Sequence, residues 1–487
     1  MSGHTTKNKI AIIAGPVLAL VVSIFFDLQP GNPKVTFMAG IALWMAVWWF
    51  TEAVHLAVTA LVPFLFMPLL GIAEAKAVAQ QYTDSIIFLF LGGFMIAFAI
   101  EKWGLHKRIA LKVLSVVGSQ PRNILLGVML STYLISNWIS NTATTMMLIG
   151  AVLALISELH ELMHEGQKKL AAALLLGLAF AATIGGMATP VGTPPNMFFF
   201  KEYNKAFPQN HDLNFLTWAK IGFPLSLTFL IICYFVLKTY YLKKNVVCNI
   251  ERNYFKDTYK KLGVMPYEQK VILGIFIACV LLWFTRENIP FENFEIKGWK
   301  NLFSNPKYLD DASVAIAAAL LLFLIPSKQN KGQAMLLWED AQKIRYDIIL
   351  MFGSGFALAY GFDVSGLSDW LASSLTFFKG VPLIVLILGI CFIVTIISEF
   401  ASNIASIQLC IPIMIAIQKD LNVHPLLLMM PATFAASLGF MLPVATAANT
   451  IVFGSKKIDI KDMFRIGIIL DIAGILLISL FLYFYLS

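Results

Sequence analysis

The sequence predicts an all-α polytopic membrane protein that contains an inverted repeat. Three observations lead to this fold class: the composition, the apolar segments and a set of motifs that occurs twice. Of the 487 residues, 59% are hydrophobic and only 13% are charged, whereas a soluble domain carries about a quarter charged residues. The net charge of +8 does not indicate a nucleic-acid partner, because the basic residues are dispersed between apolar segments.

The apolar segments predict about eleven transmembrane helices and two re-entrant helical hairpins. The crossings are expected near residues 10–27, 35–51, 57–73, 86–101, 170–200, 217–237, 270–285, 312–326, 347–362, 425–453 and 464–486. The hairpins are expected at 120–156 and 381–418, where a polar Ser-Asn turn interrupts each apolar stretch. Segments 170–200 and 425–453 are overlong and contain polar, Pro-containing runs, so we expect each to be a broken helix.

The distribution of basic residues predicts a multi-pass protein of the cell inner (plasma) membrane, with the N-terminus in the cytoplasm and the C-terminus outside. In this orientation most of the 36 Lys and Arg residues face the cytoplasm. The first apolar run is long for a signal peptide and lacks a cleavage pattern, so we expect it to stay as the first membrane helix. The five cysteines show no paired spacing, and no disulfide framework is expected.

Three motif matches in the same order relate the two halves of the chain. An offset of 262 aligns residues 90–105 with 352–367, and aligns the tip Ser140-Asn141 with Ser402-Asn403. An offset of 253 aligns the helix breaks at 189–196 and 442–449. Five predicted crossings separate the starts of the two copies, and an odd number inverts the second copy. Inverted repeats with discontinuous helices are typical of secondary transporters.

The repeat divides the chain into four regions. N-terminal scaffold helices are expected over 1–85, and the first repeat over 86–241, ending with the scaffold helix 217–237. A basic cytoplasmic loop and linking helices are expected over 242–346, and the second repeat over 347–487, ending with the last helix 464–486.

The polar tips and breaks have the chemistry of an anion and sodium site. Ser and Asn are favoured helix N-caps, and helix N-termini present partial positive charge and free N–H groups to anions. Two such ends facing each other suit a ligand with two anionic groups. Carbonyl, Ser, Thr and Asn oxygens are hard ligands that suit Na⁺, and the breaks carry no carboxylate or His cluster for Zn²⁺ or Ca²⁺. The alternative is that these residues only hydrogen-bond within the bundle or kink helices, but four such sites in register favour a functional cavity.

One motif points to a different class of protein. His160-Glu161-Leu162-Met163-His164 has the H-E-x-x-H pattern of zinc metallopeptidases, so an intramembrane metalloprotease is a remote alternative. The motif begins a charged stretch that runs to Lys169 and has no obvious third ligand. We therefore expect a surface turn of helix there and a protein that is not an enzyme.

The motifs together resemble the divalent anion/sodium symporters, the family of the INDY-type dicarboxylate transporters. The resemblance is carried by the run Trp49 to Pro63, the Ser140-Asn141-Thr142 tip, Gly192-Thr-Pro-Pro-Asn196 and Met441-Leu-Pro-Val-Ala-Thr446, and it covers nearly the whole chain. It implies a homodimer in the lipid bilayer that moves by an elevator mechanism, in which a transport domain carries substrate and Na⁺ past a scaffold domain.

The resemblance also implies which residues bind sodium and substrate. One sodium site would use Ser136, Ser140, Asn141 and Gly192, and the other Ser398, Ala401, Asn403 and Ala445. The substrate would contact Ser140, Asn141, Thr142, Thr193, Pro194, Ser402, Asn403, Ile404, Thr446 and Ala447.

Two departures from the family pattern fall in the second half of the site. The second tip has Ile404 where the family has Thr, and Ala447 and Ala448 stand where it favours two prolines. We expect Na⁺-coupled symport of C4-dicarboxylates such as succinate, malate or fumarate, with two or more Na⁺. A dicarboxylate exchanger and a citrate or sulfate carrier of the same fold are the alternatives.

Overall fold

The computed structural model describes residues 6–162, 167–209, 213–242, 254–290, 294–344, 346–374, 380–421 and 423–486. Most of these residues are helical. The two short strands Ile289–Pro290 and Glu295–Ile296 pair antiparallel. The all-α prediction is thus confirmed for the part of the chain that the structure describes.

The chain begins with a group of helices around a separate apolar cluster. These helices are α1 (Thr6–Phe25), α2 (Pro33–Thr51), α3 (Leu56–Thr59), α4 (Val62–Leu69) and α5 (Ala75–Gln81). The apolar segment near 57–73, where we expected a crossing, contains two short helices, because α3 ends at Thr59 and α4 begins at Val62. Pro63 has no N–H to donate to the carbonyl four residues earlier, and this favours the interruption.

The first repeat contains seven helices. They are α6 (Ser85–Lys102), α7 (Leu105–Val117), α8 (Pro121–Ser136), α9 (Asn141–Leu162), α10 (Gln167–Gly186), α11 (Pro194–Ala206) and α12 (Phe215–Tyr241). Helices α8 and α9 pack against each other as a hairpin. The turn between them spans only residues 137–140, and α10 and α11 are separated by residues 187–193.

The second repeat follows a linking region and shows the same order of elements. The linking helices are α13 (Tyr254–Lys261), α14 (Tyr267–Phe284), α15 (Asp311–Leu324) and α16 (Trp338–Ala341), with 3₁₀ turns at Trp299–Leu302 and Pro306–Tyr308. The repeat then comprises α17 (Tyr346–Ser365), α18 (Leu367–Ser374), α19 (Leu383–Phe400), α20 (Asn403–Leu421), α21 (Leu426–Ala435), α22 (Ala447–Phe453) and α23 (Ile460–Leu486). Helices α17 to α23 thus match α6 to α12 one by one.

Eight described helical segments are long and apolar enough to cross a membrane, and six further apolar helices have 10–17 residues. The protein is therefore an integral, multi-pass membrane protein, and the number of eleven crossings stays a prediction. The broken helices occupy the centre of the bundle, because every side chain from 170 to 190 and from 425 to 440 is buried. This burial holds the helix ends next to each break in a packed environment.

Candidate functional site

The first hairpin tip begins a helix with a serine cap. The hydroxyl of Ser140 accepts a hydrogen bond from the Ala143 N–H at 3.4 Å, and α9 begins at Asn141. The hydroxyl of Ser136 lies 3.0 Å from Oδ1 of Asn141 and 2.7 Å from the Ala182 carbonyl on α10. Ser136 therefore links the tip to α10, the first half of the adjacent broken helix.

The second tip repeats this arrangement atom for atom. The Ser402 hydroxyl accepts from the Ala405 N–H at 3.3 Å, and α20 begins at Asn403. The hydroxyl of Ser398 lies 2.9 Å from Oδ1 of Asn403 and 2.6 Å from the Ala436 carbonyl. Helices α9 and α20 begin at Asn141 and Asn403, which places both asparagines in the first turn.

At each helix break, the side chain of a buried asparagine donates hydrogen bonds to two backbone carbonyls. Asn196 Nδ2 donates to the carbonyls of Gly186 and Thr189, at 2.9 and 2.8 Å. Asn449 Nδ2 donates to the carbonyls of Gly439 and Leu442, at 2.8 and 3.0 Å. Both asparagines are fully buried. Each one satisfies two carbonyls that the interrupted helix leaves without partners.

A glycine lets each tip approach its break. A methyl group at Gly186 would come 2.4 Å from Oδ1 of Asn141 and 3.1 Å from Thr193, so no side chain fits there. A methyl group at Gly439 in the second repeat would lie 3.2 Å from Ala445, 3.4 Å from Thr446 and 3.7 Å from Asn403, so this position also lies between a tip and its break. Tip and break therefore form one half-site in each repeat, which contains the predicted residues Asn141 and Thr193 or Asn403, Ala445 and Thr446.

Further glycines pack the last helix of each repeat onto the break. A methyl group at Gly222 on α12 would lie 2.6 Å from the Ala188 carbonyl, and one at Gly467 on α23 would lie 2.4 Å from the Met441 backbone. In both repeats the following helix thus contacts the break backbone directly. This contact was not predicted from the sequence, although a small residue at a helix crossing is a usual signal of close packing.

The two half-sites adjoin across the molecule. Helix α9 packs against α22, and α20 packs against α11, so each hairpin contacts the broken helix of the other repeat. Phe180 and Phe440 meet edge to face, with ring centroids 5.1 Å apart. Two capped helix N-termini and two breaks are thereby brought into one region.

The residues of the two tips are partly exposed to solvent, whereas most of the residues behind the tips are buried. Ser140, Asn141, Thr142, Ser402, Asn403, Ile404 and Pro194 are half-buried. Ser136, Ser398, Ala401, Gly192, Thr193, Ala445 and Thr446 are buried, and Ala447 is exposed. None of the ion pairs found among the described residues lies at the tips or breaks. The region offers hydroxyl, amide and carbonyl groups, which suit Na⁺ and a carboxylate ligand.

One buried charge beside the site was missed from the sequence. Glu399 precedes the second tip by three residues and accepts hydrogen bonds from the backbone N–H groups of Met441 and Leu442, at 2.8 and 3.0 Å. Its equivalent in the first repeat is the neutral Asn137. A carboxyl group inside an apolar hairpin is a recognisable signal of a functional position.

The H-E-x-x-H motif extends beyond the described residues. His160 and Glu161 lie in the last turn of α9, whose side chains there are not described, and His164 is outside the described ranges. Elsewhere, the residues that the structure describes contain no group of three His, Cys, Asp or Glu side chains that could hold a metal ion.

Comparison with known proteins identifies the family. The model of the sodium:sulfate symporter transmembrane region matches residues 9–486, nearly the complete chain. The chain belongs to the sodium:sulfate symporter family. This result confirms the resemblance to the divalent anion/sodium symporters that the motifs indicated.

Individual relatives agree with this assignment. The chain is similar to a sodium-dependent dicarboxylate transporter SdcS of Staphylococcus saprophyticus, with 37% identity over 99% of this chain and 92% of the relative. It is also 36% identical to the SdcS of Staphylococcus aureus strain MRSA252, over 99% and 91% of the two chains. All these similarities span the tips, breaks and linking helices together.

A solved structure with little sequence similarity shares the fold. The chain superposes, with a TM-score of 0.57, on MtrF of Neisseria gonorrhoeae, a member of a class of antimetabolite efflux pumps. The match covers 97% of this chain and 94% of the other at 14% identity. At this identity the comparison supports the arrangement of helices alone.

Proposed function

We propose that the protein is a secondary active transporter that couples sodium influx to the import of C4-dicarboxylates such as succinate, malate and fumarate. The relatives named sodium-dependent dicarboxylate transporters match the chain over its full length. The observation that carries the proposal is the pair of equivalent half-sites, each with a Ser-Asn tip fastened against a helix break. Two helix N-termini can meet the two carboxylates of one substrate.

In the proposed site, sodium ions bind behind the tips and substrate binds in front of them. Ser136, Ser140, Asn141 and the Gly192 carbonyl hold one Na⁺, and Ser398, Ala401, Asn403 and Ala445 hold the other. Asn141, Thr142 and Asn403 contact the carboxylates, and Thr193, Pro194 and Thr446 line the cavity. The tips and breaks contain no Lys or Arg that could neutralise the substrate. Two sodium ions would therefore balance its −2 charge and make its binding depend on sodium.

The proposed transport mechanism is an elevator movement in a homodimer. Segment 217–237, which we first expected to be a scaffold helix, is α12, and we now assign it to the transport domain because Gly222 packs directly on the first break, as Gly467 of α23 packs on the second. The two hairpins, the broken helices, α12 and α23 would move as one transport domain past α1 to α6 and α14 to α17. The equivalent order of α6 to α12 and α17 to α23 supports an inverted repeat, since two inverted copies can exchange conformations to open the site to either side. We propose that the N-terminus lies in the cytoplasm and the C-terminus outside, as the distribution of basic residues predicts.

Uptake by the purified protein in proteoliposomes tests this function. We expect radiolabelled succinate to accumulate only with an inward Na⁺ gradient, and malate and fumarate to compete with it. Uptake that needs internal dicarboxylate but no Na⁺ gradient would establish an exchanger instead. Accumulation of citrate or sulfate in preference to succinate would establish a different substrate for the same fold.

The two tip asparagines give the sharpest test of the site. Asn141→Ala and Asn403→Ala should each abolish Na⁺-driven succinate uptake, because each change removes an amide that contacts both the sodium-site serine and the break. Asn204→Ala, at an exposed position of α11, is the matched control and should transport normally. Full uptake by either tip variant would contradict the assignment of the site.

A further inference from the structure

A groove opens between three helices at one end of the molecule, away from the tips and breaks. It lies among the start of α10, the end of α12 and the N-terminal part of α23, and its volume is about 770 Å³. This volume is within the range of ligand pockets. The groove is lined by Lys169, Phe235, Val236, Thr239, Tyr240 and Ile469.

The floor of the groove is apolar and continues along the outer surface of two helices. Phe235 on α12 is 53% exposed, and Ile469 on α23 is 45% exposed. Ile231 lies one turn before Phe235, and Ile472 and Leu476 follow Ile469 on the same face of α23, all about half exposed. A continuous apolar surface of this kind indicates contact with lipid rather than with a water-soluble ligand.

Three basic side chains form the rim of the groove. Lys169 lines the groove directly and is exposed. Arg465 on α23 is also exposed, and its side chain lies close to that of Tyr240, another lining residue. Lys238 lies over the ring of Phe235, with its Nζ 5.3 Å from the ring centroid. The groove therefore has positive charge next to its apolar floor.

The protein itself does not neutralise this rim. Asp462 lies near Arg465, but within the described part of the chain none of the three basic residues forms an ion pair. Three cations and one carboxylate leave a net positive charge. Lys and Arg are the usual partners of phosphate groups, so an anionic headgroup complements the rim while an acyl chain complements the floor.

We propose that this groove binds one anionic phospholipid of the surrounding bilayer. The phosphate contacts Lys169 and Arg465. One acyl chain lies along Phe235, Val236 and Ile469. The orientation predicted from the basic residues places this end of the molecule at the cytoplasmic leaflet, which carries anionic lipids, and basic pockets between membrane helices on that side bind their headgroups.

The bound lipid should stabilise the packing of the three helices that form the groove. Helix α12 packs against both α10 and α23, and a ligand that binds only the folded state raises its stability. The site is separate from the sodium and substrate sites of the proposed function, and its test does not depend on which substrate is transported.

Native mass spectrometry and thermal unfolding of the purified full-length protein in detergent test this site. With phosphatidylglycerol and phosphatidylcholine of identical acyl chains as probes, we expect one phosphatidylglycerol per chain to bind in preference and to raise the unfolding temperature. Lys169→Gln combined with Arg465→Gln should weaken this binding roughly 25-fold, since each basic residue near an anionic lipid surface contributes about fivefold. Ile469→Trp, which fills the groove and keeps both charges, should also weaken it.

The matched control removes two positive charges elsewhere. Lys256→Gln combined with Lys261→Gln changes two exposed side chains of α13, and this variant should bind phosphatidylglycerol as the wild type does. Unfolding temperatures without added lipid verify that each variant is folded. Lys169→Gln alone provides a second variant if the double variant of the groove does not fold.

Several results would overturn the proposal. Equal affinity of the wild type for the two lipids would show that the rim does not recognise the headgroup. Unchanged phosphatidylglycerol binding in the double variant of the groove or in Ile469→Trp would place the lipid elsewhere. An equal loss of binding in the α13 control would indicate general charge attraction without a site. Stabilisation by inorganic phosphate as strong as that by phosphatidylglycerol would assign the groove to a free anion instead of a lipid.

Discussion

At the scale of single residues, the two half-sites have equivalent serines behind their tips, but they differ at the third residue of each tip. Ser136 and Ser398 make the same pair of contacts, with distances that agree within 0.1 Å for each contact. Position 142 carries a hydroxyl, whereas the equivalent Ile404 does not, and both are half-buried at their tips. In the proposed site, the substrate would therefore meet a hydroxyl at position 142 of the first tip and an apolar side chain at position 404 of the second.

Exchange of these two side chains tests how the asymmetry affects substrate binding. Ile404→Thr should alter the KM for succinate or the range of accepted acids without loss of transport, because it adds a hydroxyl beside Asn403. The reciprocal change Thr142→Ile should raise the KM about tenfold, since loss of a hydrogen bond to a charged group costs about 1.5 kcal/mol or more. An inactive Ile404→Thr protein with normal folding would show that position 404 is structural.

At the scale of elements, the structure of each broken helix depends on an asparagine side chain that donates hydrogen bonds to the carbonyls at the break. A break leaves buried carbonyls without intrahelical partners, and such groups are costly unless they are satisfied. Asn196 and Asn449 donate to two carbonyls each and are fully buried. The breaks are therefore ordered structures with defined backbone directions, which a sodium site made of carbonyls requires.

Removal of one of these asparagine side chains should destabilise the protein and also impair transport. Asn449→Ala leaves the carbonyls of Gly439 and Leu442 unpaired, and we expect it to lower the free energy of unfolding by on the order of 2 kcal/mol. Asn196→Ala should have a similar effect in the first repeat. Thermal unfolding in detergent measures both, with Asn204→Ala as the exposed control expected within about 0.5 kcal/mol of wild type. A wild-type unfolding temperature for Asn449→Ala would contradict this role.

At the scale of the whole molecule, an ion pair joins the proposed moving and static parts. Lys201 on α11 has its Nζ 3.3 Å from Oδ2 of Asp84, just before α6, and 3.4 Å from the ring centroid of Phe356 on α17. Lys201 is 9% exposed, so these contacts are largely shielded from solvent. An elevator movement of α11 past α6 and α17 must break both contacts during each cycle.

A cross-link at this ion pair tests the movement directly. With Asp84→Cys and Lys201→Cys combined, a short bifunctional thiol reagent should stop succinate uptake, because α11 could no longer move relative to α6. A cleavable reagent should allow uptake to return after cleavage. The two variants that carry only one of the introduced cysteines, treated in the same way, control for the effect of modification without a cross-link. Undiminished uptake by fully cross-linked protein would exclude movement between these helices.

The sequence by itself determined the helical membrane class, the repeat and the residues of the tips and breaks. These features are local, because apolar length, a Ser-Asn cap or a Pro-containing interruption is encoded within a few adjacent residues. Comparison of the two halves added the pairing of Ser140-Asn141 with Ser402-Asn403, since equal offsets do not depend on packing. The family and its sodium coupling followed from the same short motifs.

Only the tertiary structure decided which distant segments meet. The packing of α9 on α22 and of α20 on α11, the approach of Gly467 to Met441 and the hydrogen bonds of Glu399 to the second break join segments that are far apart in the chain. Such contacts depend on how helices pack against one another, and no local pattern encodes a partner on another helix. The tips could therefore be recognised from the sequence, but the contact of Glu399 with the second break became visible only when the structure brought α19 and the break together.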